Sequence, residues 1–185
     1  MTMSANHDGK SVLENSALRL EFDAARGSLC AVVNKLVGET YAVDGDTFTI
    51  ETTAGRRTQA DLRIAEWAAT AEIICARFVG PDMVVEVAYE LRAGDGFFQK
   101  KGVVTFAADS NVTRITVSQP ALSLPGLRTV AYRHPDFDWI IDYVKVKHGS
   151  ALWRPPDSEP TRTFFGRTAR GGFFAGSEMP SDNAR

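Results

Sequence analysis

Cysteine is almost missing from this 185-residue chain, which holds only Cys30 and Cys75. There is no CxxC pair, and the three histidines form no His/Cys cluster at zinc spacing. Each cysteine lies in an apolar segment, so buried free thiols are expected rather than a disulfide. Long apolar runs are also missing: none approaches the ~20 residues that span a bilayer. The opening "MTMSANHDGKSVLEN" lacks the apolar core of a secretory leader. The expected setting is the cytoplasm, with no membrane partner. A dense basic patch is absent as well, since the net charge is -2 and the doublets Arg56-Arg57 and Lys100-Lys101 stand in separate segments. That argues against nucleic acid as a partner. Without a P-loop, a GxGxxG after a strand or a GxSxG elbow, neither nucleotide use nor a serine nucleophile is supported, and no cofactor is expected.

What the chain has in quantity is alternation. In "SALRLEFD", Leu18, Leu20 and Phe22 fall on one side, and Arg19, Glu21 and Asp23 on the other, as in a strand with one wet face. "AARG" turns the chain into a second strand, "SLCAVVNK", and Asn34, Lys35 and Gly38 form the next loop. In "DGDTFTIETTAG", Phe48 and Ile50 alternate with threonines. Around Trp67, Ala71, Ile74 and Phe78 a helical spacing competes. The turn Gly80-Pro81-Asp82 and the row Met83, Val85, Val87, Tyr89, Leu91 decide for a hairpin over residues 70–92. Further strands follow in "FFQKKGVVTF", in "NVTRITV" with Val112, Ile115 and Val117, and in "TRTFFGRT" and "GGFFAGSE" around Ala169-Arg170-Gly171. Many short strands between tight turns predict an all-β antiparallel sandwich. We expect residues 1–11 and 181–185 to be tails and residues 12–180 a single domain.

Three segments, in this order, resemble the galactose mutarotase-like β-sandwich (a supersandwich) of carbohydrate-active enzymes. "VLENSALRLEFDAARGSLCAVVNKLVGETY" is similar to its opening, and "VEVAYELRAGDGFFQKKGVVTF" to its central hairpin. "GGFFAGSEMP" resembles a hairpin of α-galactosidase-like relatives. The resemblance implies a non-catalytic accessory domain, as at the N-terminus of a glycoside hydrolase, whose partners are carbohydrate and a catalytic domain.

Three constellations are candidates for chemistry. In the closing hairpin, Phe164 and Phe173 would share one side and Phe165 and Phe174 the other. One ring pair would be free to lie against the C–H face of a sugar, with Arg167 or Arg170 as donor. The plain alternative, which we favour, is that both pairs fill the space between sheets. "YRHPDFDWIIDY" gathers Arg133, His134, Asp136, Asp138 and Trp139 within seven residues. If extended, it sets the two aspartates on one face to grip hydroxyls; calcium is not expected, for want of EF-hand spacing. Trp153, before Arg154-Pro155-Pro156, is a platform or an anchor. Catalysis by a glycosidase would need two carboxyls across a cleft, and by a small aldose epimerase an acid and a base on opposite sides of a ring. His134 or His148 with Glu178 are the candidates. The ligand-binding set is therefore Arg133, Asp136, Asp138, Trp139, Trp153 and Arg167, with no metal. A third reading is a homo-oligomeric module that pairs through a sheet face or edge.

Overall fold

The computed structural model describes residues 10–44, 46–118, 121–123, 128–133, 142–145, 152–153, 163–168 and 170–176. Two compact units emerge, Met1–Ala121 and Leu122–Arg185. The described residues form strands and turns with no α-helix, and every described strand pair is antiparallel. The expected all-β, sandwich-like class is what the chain adopts. No helix among these residues is long and apolar enough to cross a membrane.

The first unit runs β1 (Lys10–Glu14), β2 (Leu18–Asp23), β3 (Ser28–Asn34), β4 (Glu39–Asp44), β5 (Thr49–Thr52) and β6 (Gly55–Thr58). A single 3-10 turn at Gln59–Asp61 follows, then β7 (Arg63–Ala69), β8 (Ile73–Val79), β9 (Met83–Glu90), β10 (Gln99–Phe106) and β11 (Val112–Thr116). These strands build a meander β1-β2-β3-β4, a sheet in the order β10-β9-β8-β7, and a sheet in the order β11-β5-β6. The alternation read from the sequence is the reason for the layering. On β2, Leu18, Leu20 and Phe22 are buried, and on β9 Met83, Val85, Val87 and Tyr89 are, with Leu91 just beyond. The meander and the β7–β10 sheet meet through the Phe22 ring, which lies edge-on to Tyr89 at 4.8 Å and to Trp67 at 6.1 Å. Phe48 and Phe78, 5.2 Å apart, join the third sheet to the same core. Fully buried rings of this kind each contribute about 1.5–3 kcal/mol by burial alone.

Two bulges interrupt the alternation. On β7, Ile64 pairs with Phe78 and Glu66 with Arg77, so Ala65 is an extra residue. The bulge turns Ile64 and Trp67 to the same side as Phe78 and Ala76, so two core-facing residues stand three apart. The helix-like spacing of Trp67, Ala71, Ile74 and Phe78 has another origin: Trp67 lies on β7, Ala71 in the turn after it, and Ile74 and Phe78 are buried on β8. On β3 the register steps from Ala31 to Leu29, leaving Cys30 in the bulge, where its thiol donates to the Glu21 carbonyl at 3.2 Å.

The expectation of buried thiols fails. Cys30 is half-buried and Cys75 is exposed, with no disulfide between them. The reason is parity: on β8 the buried residues are Ile74, Ala76 and Phe78, so Cys75 falls on the wet face with Arg77. The apolar look of "EIICARF" arises from both faces at once.

The turns are fixed by specific groups. Gly27, between β2 and β3, has φ +62°, and a Cβ there would lie 2.7 Å from Phe78 Cζ. Asn15 clamps the β9–β10 loop: its amide donates to the Arg92 and Asp95 carbonyls at 2.7 and 2.9 Å. Its Oδ1 accepts from the Ala17 and Leu18 amides.

The second unit contains β12 (Ala121–Ser123), β13 (Arg128–Arg133), β14 (Asp142–Lys145), β15 (Leu152–Trp153), β16 (Thr163–Arg167) and β17 (Gly172–Gly176). Four of them form a sheet in the order β14-β13-β16-β17. Leu122 and Ser123 of β12 pair with Trp153 and Leu152 of β15. The closing hairpin forms as expected. Its turn is tied by the Thr168 amide donating to Gly171 O and the Gly171 amide donating to Thr168 Oγ1, both at 3.0 Å.

Candidate functional site

The most chemically distinctive cluster of the first unit lies inside it and was not anticipated. Asp46 precedes β5 and is almost sealed from solvent. Its Oδ2 accepts from the Tyr89 hydroxyl at 2.8 Å, and its Oδ1 from Lys100 Nζ at 2.8 Å and from the Ser118 hydroxyl. The Lys100 side chain is 8% exposed and that of Asp46 3%. The ammonium also lies 5.2 Å from the centre of the Tyr89 ring, a cation–π arrangement.

Strand pairing puts these groups together. Lys100 stands opposite Tyr89 in the β9–β10 register, and cross-strand partners share a face. Since Tyr89 belongs to the inward row, Lys100 must enter the core, and a buried ammonium requires an acid. Burial holds the Lys100 ammonium below its usual range, with the Asp46 charge opposing that effect. Burial, reinforced by the Asp46 charge and hydrogen bond, drives the Tyr89 phenol far above its own. The register signal was present in the sequence: once Tyr89 is inward, an eight-residue strand after the "GDG" turn carries Lys100 to the same side.

Chemically the cluster is a staple. It links the entry to β5, the end of β9, the start of β10, and the chain just past β11. A nearby notch lined by Glu90, Arg92, Asp95, Phe97 and Gln99 has a volume of about 20 Å³, room for one water. Lys101 and Arg92 both donate to Glu90 there and hold its carboxyl below the usual range.

The ligand-binding residues expected from the sequence fall elsewhere. His134, Asp136, Asp138, Trp139 and Glu178, with His148, lie outside the described residues. Trp153 sits on β15 opposite Leu122. Arg133 and Arg167 sit on the four-stranded sheet of the second unit, but at different parities. Arg167 pairs with Arg128 and Gly172, whereas Arg133 pairs with Asp142. In that register Phe165 stands between Val130 and Phe174, and Phe164 between Ala131 and Ala175.

Among the described residues, no group of three or more His, Cys, Asp or Glu side chains gathers as metal ligands. In comparisons with known proteins, the chain matches no family model, no curated protein and no solved structure.

Proposed function

We propose that the chain is a non-catalytic β-sandwich accessory domain of a carbohydrate-active enzyme, of the galactose mutarotase-like kind, and that it contacts glycan through the second unit's four-stranded sheet. The observation that carries the reading is the register of β13, β16 and β17, which sets Phe165 opposite Val130 and Phe174, two positions along β16 from Arg167. Aromatic rings and a guanidinium donor are the residue types that a sugar's C–H face and hydroxyls require. The segments that carry the resemblance support the same reading. The opening motif coincides with the β1–β4 meander, the central one with β9 and β10, and the last with β17.

The accessory role is further supported by apolar surface at a sheet edge. Ile115 stands opposite the buried Ile50, and Val117 follows it two residues on, so both extend the inward row of the β11-β5-β6 sheet. Yet they are 49% and 38% exposed. A linked catalytic domain is the partner proposed for that edge. The cytoplasmic setting proposed with it suits two cysteines that no disulfide joins.

The test is an NMR titration of the labelled full chain with neutral galactosides and glucosides and with uronates. Shifts confined to backbone amides of β13, β16 and β17 are expected. A flat response to every sugar removes the glycan reading.

A further inference from the structure

The sheet edges of the first unit are guarded unequally. A free edge strand presents unpaired N–H and C=O groups, and short length, charge or a bulge blunts it. Strand β6 has four residues, two of them arginine, and β1 has five, with Lys10 and Glu14 at its ends. Strand β11 is broken by a register shift between Val112 and Arg114, and β7 by the Ala65 bulge. Strand β10 has none of these features. It closes one side of its sheet, runs against β9 from Gln99 to Phe106 without a shift, and holds no proline. Among the described residues β9 is its only strand partner. Its two lysines do not shield it: Lys100 is held inside by Asp46, and Lys101 is drawn back to Glu90 of β9 at 2.7 Å. Between Lys101 and Thr105 on the wet face, Val103 is 58% exposed.

We propose that the β10 edge is a dimer interface, occupied by β10 of a second copy of this chain that runs antiparallel about a two-fold axis at Val103. The strand is complementary to itself in that register. An axis perpendicular to the sheet keeps wet residues opposite wet ones and inward residues opposite inward ones. Val103 then meets its own counterpart, and Lys101 meets the partner's Thr105. On the inward side Gly102 meets the partner's Val104, and Lys100 the partner's Phe106. No like charges stand opposite each other, and two exposed valines cover one another. An axis at Gly102 would instead set glycine on glycine and Val103 on a lysine. Pairing adds main-chain hydrogen bonds along both strands and joins two four-stranded sheets into one. The assembly closes at two copies, because the far edge of each sheet is β7, whose bulge blocks further pairing. The contact uses β10, not the β11 edge assigned above to a linked domain, and it does not depend on the glycan reading.

The experiment is sedimentation velocity of the full chain at low salt over about 5–500 μM, since a contact limited to one strand pair is small and of micromolar rank. At the upper end the expected particle has twice the chain's 20.2 kDa. Position 103 faces its own counterpart, so Val103→Lys and Val103→Glu each bring like charges together. Either should weaken the dimer at least about tenfold. An equimolar mixture of the two variants sets lysine against glutamate and should dimerise within about threefold of the parent chain. That recovery also shows that both variants are folded. A parent chain that stays monomeric at the highest concentration overturns the proposal. So does a dimer that neither charge weakens, or a mixture that associates no better than its components.

Discussion

Lys100→Met tests the interior of the first unit most directly. It preserves the length and apolar stem of the side chain and deletes only the ammonium. Asp46 would then keep two neutral donors, Tyr89 and Ser118, and lose its countercharge in a site where its side chain is 3% exposed. Breaking a buried pair from one side costs about 3–5 kcal/mol, because the remaining charge stays desolvated. Against a total stability of about 5–15 kcal/mol, the variant should fold, but with little margin. With a urea slope near 2 kcal/mol/M, the midpoint should fall by about 1.5–2.5 M. Trp67 fluorescence is the local probe, since that indole donates to Ser11 at 2.9 Å and its ring meets Phe22. Trp139 and Trp153 are changed to Phe in every sample to isolate it.

The second arm is Asp46→Asn/Lys100→Met. The amide oxygen still accepts from Tyr89 or Ser118, and no charge is left stranded. This double variant should regain at least half of the loss, with a coupling of at least about 1.5 kcal/mol in the cycle. If Lys100→Met costs under about 0.5 kcal/mol, or the two changes simply add, the pair is not the desolvated staple described above.

Gly27→Ala should destabilise by about 2–5 kcal/mol, combining a left-handed backbone with overpacking against Phe78. Gly38→Ala is the control: its φ is +67° but its Cβ position is open, so only about 1–2 kcal/mol is expected, and equal losses in urea unfolding would refute the close approach to Phe78. Tyr89 should remain un-ionised while the protein is folded, because its phenol is held far above the ordinary value of about 10. Above that pH the unfolded chain loses a proton that the folded one keeps, so the stability this group contributes below about pH 10 falls as pH rises. In an alkaline absorbance titration, Tyr89→Phe should leave the reversible phenolate signal unchanged and reduce only the part that appears on unfolding; loss of reversible signal would contradict the burial.

Alternation made much of the fold legible. The rows Leu18-Leu20-Phe22 and Met83 to Leu91 were readable because each strand has one dry face, and parity then follows residue by residue. Where parity breaks, so does legibility. The strand–turn–strand run from Trp67 to Phe78 mimicked helical spacing, and "EIICARF" concealed that Cys75 alternates out of the core. The Asp46–Lys100 pair was hidden for another reason. Its members are 54 positions apart and meet only through the β9–β10 register and the turn into β5. A lysine doublet reads as solvated until its strand partner is known.

The same logic separates Arg167 from Arg133, which sequence proximity to aromatic residues had grouped as ligand contacts. In the first unit several cations meet an acid: Arg19 with Glu21 on one strand, Arg77 with its cross-strand partner Glu66, Lys101 with Glu90, and Lys100 with Asp46. In the second unit the register sets Arg133 opposite Asp142 and Arg128 opposite Arg167.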